Sequence, residues 1–147
     1  MSSTDRPGRR RSAETLTTAS DDVIRHYIEA TSAADGDTAA ASTADDAVIE
    51  LSGGGVLHGK QGAREFAAKH APTDGRKRSV SLTSIEPHTR NRFVATLVMT
   101  SREVATDELM YSMDVGSVFE VRDGLITRHR VFPSPEDAAA AAEQARL

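Results

Sequence analysis

ELMYSMDVGSVFEVRDGLITRHRVFP, residues 108–133, holds two long runs of period two on either side of Arg122-Asp123-Gly124. Val115, Ser117, Phe119 and Val121 alternate with polar or small neighbours, and Ile126, Arg128 and Arg130 alternate with Thr127, His129 and Val131, as in strands. Asp-Gly between two such runs is a strong hairpin signal. With Gly124 as the left-handed residue of a three-residue loop, Val121 is expected opposite Leu125, Phe119 opposite Thr127 and Ser117 opposite His129. A plain two-residue turn instead puts Val118 opposite His129. The first version is preferred because it gathers Met113, Val115, Phe119 and Val121 on one apolar face with Ser117 and His129 embedded in it, and a polar pair on an apolar face marks a candidate site.

Upstream of the hairpin, Ser79–Glu86 and Arg92–Arg102 read as strands joined by Pro87–Asn91. The second has Phe93, Ala95, Leu97 and Met99 on one face and Val94, Thr96 and Val98 on the other, so it is expected to be central or covered on both sides. Before them come a helix over Lys60–His70 with Ala63, Phe66 and Ala67 as its apolar face, a short strand Val56–His58, and a strand Ala47–Leu51. A first helix is expected to be capped by Ser20, with Val23, Ile24, Tyr27, Ala30, Thr31 and Ala34 on its inner face and Gly36 ending it. Asp37 is expected to cap a second, Ala-rich helix, and Glu136–Arg146 reads as a terminal helix. Helices followed by a run of antiparallel strands make the class α+β: a strongly bent antiparallel sheet wrapped around three helices, enclosing a pocket.

At 147 residues and 38% hydrophobic the chain suits one domain, placed at 20–147 behind an expected disordered basic tail, residues 1–19. The net charge of −4 is uneven: Arg6, Arg9, Arg10 and Arg11 against Asp5 give +3 in the first twelve residues, leaving −7 for the rest. An acidic folded part argues against nucleic-acid binding. No apolar run approaches a membrane span, cysteine is absent, and no histidine pair has ligand spacing, so no membrane partner, cofactor or metal site is expected and a cytoplasmic location is the default. Gly53-Gly54-Gly55 lacks the features of a phosphate loop, and no nucleophile elbow accompanies any serine. Fifteen Arg against three Lys, with abundant Ala, points to a GC-rich bacterial source.

Tyr27-Ile28-Glu29, Asp35-Gly36-Asp37, Ala44-Asp45-Asp46-Ala47, His58-Gly59-Lys60 and Val118–Ile126, in that order and spacing, resemble the nuclear-transport-factor-two-like α+β cone. Within it they are similar to ketosteroid isomerases and SnoaL-type polyketide cyclases, and Ile126–Pro133 looks like the cyclase branch. The resemblance covers roughly residues 20–135. It implies a cone whose members include isomerases, cyclases, dehydratases, epoxide hydrolases and non-catalytic binders. It also implies a tyrosine donor on the first helix, matched by Tyr27. The isomerase branch has a general-base Asp where Leu51 stands and a second, protonated Asp where Ser117 or its neighbour stands. The acid–base Asp of the cyclase branch falls at Val131. The chain thus keeps the pocket without the carboxylates of either relative.

His129 is the first candidate for proton transfer, since an imidazole near its ordinary pKa exchanges protons at neutral pH, with Tyr27 as the oxygen-stabilising donor. Tyr111, Ser117, Leu51, Met113, Phe119 and Val131 are expected to line the pocket, with Met99 and Val115, and His58 to stand at its mouth. His26, His70 and His88 are expected to be exposed, and Asp114 to face away. Arg128 and Arg130 are placed on the convex face with Ile126 and Phe132, a mixture that suits a homodimer interface. Three readings follow. One is a cofactor-independent isomerase, cyclase or dehydratase acting on an apolar carbonyl compound; the second is a non-catalytic binder of a small apolar ligand; the third is a dimerisation module whose pocket is filled by its own side chains.

Overall fold

The structure, a computed structural model, describes residues 8–144. Helices α1 (Gly8–Ser32) and α2 (Gly36–Ala41) lead into strands β1 (Thr43–Glu50) and β2 (Val56–His58), and helix α3 (Gly59–Ala68) comes next. The long strands β3 (Arg76–Pro87), β4 (Arg92–Glu103), β5 (Leu109–Arg122) and β6 (Leu125–Phe132) follow, and α4 (Pro135–Gln144) ends the described chain. One six-stranded sheet runs β2-β1-β6-β5-β4-β3, antiparallel throughout except for the parallel β1–β6 pair. The α+β cone is as expected, with a mixed sheet that does not close.

Several local expectations shift. Helix α1 is already formed at Gly8, so Ser20, Asp21 and Asp22 lie inside it and Ser20 is not its cap; residues 1–7 of the expected tail lie outside the described residues. Ala34, at φ 58°, takes the left-handed role assigned to Gly36. Asp35, not Asp37, caps α2: its carboxylate accepts from the Thr38 backbone N–H (3.2 Å) and hydroxyl (2.6 Å). The inner face of α1 is as read, with Ile24, Tyr27, Ala30 and Thr31 buried.

The hairpin turn is the instructive difference. Asp123 (φ 56°) and Gly124 (φ 76°) are both left-handed, and Arg122 pairs with Leu125, so the loop has two residues. Asp tolerates that conformation nearly as well as Gly, which makes Asp-Gly a type I′ turn. A bulge then places Thr127 as an extra residue on β6, its hydroxyl donating to the Glu120 carbonyl at 3.2 Å. Beyond the bulge Phe119 faces His129 and Ser117 faces Val131, two residues from the expected register. Because the slip is even, Ser117, Phe119 and His129 still share a face. The bulge also corrects Ile126: it is fully buried in the main core opposite Val121, not on the convex face with Arg128.

The main core packs α1, α2 and α3 on the concave side, through Ile24, Tyr27, Ala39, Ile49, Ala63, Phe93 and Phe119. On the convex side Ala138 and Ala142 of α4 cover Val118, with Val94 and Phe132 against them. Phe132, counted toward a subunit interface, is therefore partly covered by the chain's own helix. Gly116 makes that approach possible: a Cβ there would stand 2.7 Å from the Ala138 Cβ and 2.9 Å from the Pro135 Cα. Arg128 and Arg130 do sit on this side, where both bind Glu50 (2.8 and 3.4 Å) and Arg92 binds Glu120 (3.4 Å).

Candidate functional site

Sheet curvature leaves a cavity of about 440 Å³ between the concave face and the helices. Its floor comes from four elements. Tyr27 descends from α1, Phe66 from α3, and Ser117, Phe119 and His129 rise from the paired strands β5 and β6. His129 lies flat against Phe119, its cross-strand partner, with ring centroids 4.4 Å apart and planes 13° from parallel. Phe66 and Tyr27 meet the imidazole edge-on at 5.1 and 5.2 Å. These aromatic contacts fix the ring plane, so both nitrogens point at defined partners.

Those partners are hydroxyls. Tyr27 Oη lies 3.0 Å from His129 Nδ1, and Ser117 Oγ lies 3.2 Å from Nε2. A neutral imidazole carries one donor and one acceptor nitrogen, so two proton arrangements satisfy this chain. In one, Tyr27 donates to Nδ1 and Nε2–H donates to Ser117, whose own O–H then points onward. In the other, every bond reverses and the Tyr27 O–H is the one left to donate. Either arrangement offers one hydroxyl proton to a ligand.

Burial sets the electrostatics. His129 is 4% exposed, and removal from water pushes its imidazole down to about 3, with the nearby His70 adding to the effect. It is neutral at physiological pH. Burial pushes the Tyr27 phenol upward, so it too stays protonated and acts as a donor, not as a phenolate. Among the described residues, no Asp or Glu lines the cavity.

Of the residues read from the sequence, Tyr27, Leu51, Met113, Ser117, Phe119, His129 and Val131 line this cavity, together with Met99 and Val115. Tyr111 does not: β5 runs past the last β6 pair at Gly116, the cavity follows this overhang through Val115 and Met113, and Tyr111 stands two residues further out, 41% exposed. His58 is exposed at the start of α3 and also lies off the cavity. Its neighbours carry the local motif instead. Gly59 is left-handed (φ 66°) and a Cβ on it would stand 2.7 Å from the Asp45 carbonyl, while Lys60 Nζ donates to the Ala40 (3.0 Å) and Thr43 (2.6 Å) carbonyls. Asp114 pairs with Val98 and faces away, as expected.

His70 corrects an expectation. It is 8% exposed, packs against Phe66 at 5.3 Å and lines the cavity. Its position four residues after Phe66 puts both on one helix face, a signal present in the sequence. Lys69 and Arg78, which also line the cavity, come from separate elements and had no shared signal.

Residues 24–129 match the family model described as the SnoaL-like domain. No curated protein matches the chain. Among solved structures, a candidate polyketide cyclase from Xanthomonas campestris aligns over 86% of this chain and 98% of its own, at 21% identity and TM-score 0.66. One from Silicibacter is 27% identical over 86% and 94% of the two chains, with TM-score 0.60. A Mycobacterium tuberculosis protein solved with estradiol-17β-hemisuccinate is 20% identical over 77% and 92%, with TM-score 0.61.

Proposed function

The chain belongs to the SnoaL-like domain family, and we propose that its cavity takes an apolar small molecule bearing a carbonyl or hydroxyl oxygen, received at the floor by the Tyr27–His129–Ser117 chain. One observation carries this reading: a hydroxyl–imidazole–hydroxyl network at the bottom of a mostly apolar cavity that no carboxylate lines among the described residues. The volume of about 440 Å³ falls within the usual range for ligand pockets, roughly 300–1,000 Å³. A fold neighbour solved with an estradiol ester supports an apolar ligand of that kind.

A second reading, in which the ligand is also turned over, is favoured by the reversibility of the network. Exchange between its two arrangements delivers a proton at one hydroxyl and accepts one at the other while the imidazole stays neutral. That is the proton balance of a cofactor-independent isomerisation, cyclisation or dehydration. In it Tyr27 polarises the substrate oxygen and His129 passes the proton between the two hydroxyls. A homodimer through the part of the convex face left open by α4 accompanies both readings.

Acetonaphthone, an uncharged aromatic ketone, tests the two together. Saturable binding with a lowered carbonyl stretching frequency is expected, and Tyr27→Phe should weaken binding about two- to tenfold, the worth of one hydrogen bond. Exchange of the ketone's α-protons with deuterated solvent, lost in Tyr27→Phe, identifies turnover; binding without exchange identifies a binder. An absence of saturable binding, or a carbonyl frequency unchanged on binding, refutes the proposed floor contact.

A further inference from the structure

Exposure is graded along the cavity. Tyr27, Ser117, Phe119 and His129 are buried, whereas Lys69 and Arg78 are exposed and line the same space. Lys69 stands just past the end of α3 and Arg78 on β3; an Arg78 Nη donates to the Lys69 backbone carbonyl at 3.4 Å, and both residues line the cavity. Neither forms an ion pair among the described residues, whereas Arg64, Arg92, Arg122, Arg128 and Arg130, away from the cavity, each do. Lys77, next in sequence, spends its ammonium on the Ser32 and Arg78 carbonyls, both at 2.7 Å, and adds its charge to the same rim. The positive field is felt inside: burial is the main force lowering the His70 imidazole, and Lys77 and Arg78 lower it further. All this stands on a chain whose net charge beyond the first twelve residues is −7.

We propose that the cavity selects amphipathic anions: molecules with an apolar body, an oxygen that reaches the Tyr27–His129–Ser117 floor, and an oxyanion group held at the rim by Lys69 and Arg78. The inference rests on the ligand-binding reading above and narrows its ligand class. No acidic side chain among the described residues neutralises either cation, which leaves both charges to an anionic ligand. An oxyanion between them gains charge-assisted hydrogen bonds while remaining partly hydrated, which avoids the cost of full burial. The acid-free lining removes the repulsion that would otherwise oppose it.

Two fluorescent probes share one aromatic frame and differ in charge: anilinonaphthalene sulfonate and uncharged phenylnaphthylamine. The sulfonate should bind the full-length protein on the order of fivefold to tenfold more tightly, the worth of two partly exposed charge contacts. The preference should shrink with added salt. In the double variant Lys69→Gln/Arg78→Gln it should vanish through weaker sulfonate binding, with phenylnaphthylamine unchanged. Val115→Trp, which fills the cavity, should expel both probes. Equal affinity for the two probes, both expelled by Val115→Trp, overturns the anion preference and leaves the pocket reading intact. Binding of neither probe, or binding indifferent to Val115→Trp, overturns the pocket reading and this inference with it.

Discussion

Replacing His129 by Gln should flatten the acid side of the stability profile. The imidazole is 4% exposed, and burial lowers its pKa to about 3, against about 6.5 for the same group in an unfolded chain. Between those values the unfolded state binds a proton that the folded state refuses. Stability therefore rises with pH across this window: it is full above about 6.5 and is lost progressively as pH falls toward 3. At about 1.4 kcal/mol per pH unit, acidification from pH 7 to pH 5 uses roughly 1.5 units of the window and costs about 2 kcal/mol through this one group.

Urea unfolding of both proteins at the two pH values measures it. Gln keeps a neutral donor and acceptor but does not titrate. The surface carboxylates are present in both proteins and cancel in the difference, whereas His70, whose pKa burial also lowers, is coupled to His129, so the comparison is repeated in a His70→Gln background. His129→Gln is expected to be less stable at neutral pH, having lost the stacking on Phe119, yet to lose about 2 kcal/mol less on acidification. Equal losses in the two proteins, with equal urea dependence, would refute a buried neutral imidazole and the network built on it.

Gly59→Ala should destabilise the fold by roughly 1–3 kcal/mol, seen as a lower urea midpoint, because the residue is left-handed and its new Cβ would meet the Asp45 carbonyl at 2.7 Å; an unchanged midpoint would show that this turn relaxes freely. For the homodimer, sedimentation should give a concentration-dependent mass approaching two chains, and a monomer at every concentration excludes it.

How far the sequence could be read depends on whether each feature is local. Asp123-Gly124 and the period-two runs state the hairpin outright, and the helix period states which side of α1 carries Tyr27. The Thr127 bulge is not local: it satisfies the Glu120 carbonyl across the ladder and follows from fitting two strands to a curved sheet. Its effect on the site is nevertheless small, since an even slip preserves the face and brings Ser117 to His129 diagonally instead of directly. Tyr111 shows the opposite case. Its alternation is regular, but the cavity follows the β5 overhang only as far as Met113, and alternation says nothing about where a cavity stops. His70 was legible from its spacing to Phe66, whereas the pairing of Lys69 with Arg78 exists only in the folded chain.

A lining without carboxylates among the described residues also constrains any chemistry this cavity performs. Placing a full proton on His129 at pH 7 costs about 5 to 6 kcal/mol, four pH units at about 1.4 each, or close to four orders of magnitude in rate if that imidazolium had to form before reaction. No acidic side chain in the lining offsets the charge. A stepwise mechanism with His129 as a free-standing general base therefore starts at a large disadvantage. A concerted exchange avoids it, because the proton that enters at one hydroxyl is matched by one that leaves at the other. Such an exchange requires both Tyr27 and Ser117 in contact with the same substrate, and removing either hydroxyl should abolish it as completely as removing both. Two-step losses in Tyr27→Phe and Ser117→Ala that multiply in the double variant would show instead that the hydroxyls act independently, as hydrogen-bond donors to a ligand that is only bound.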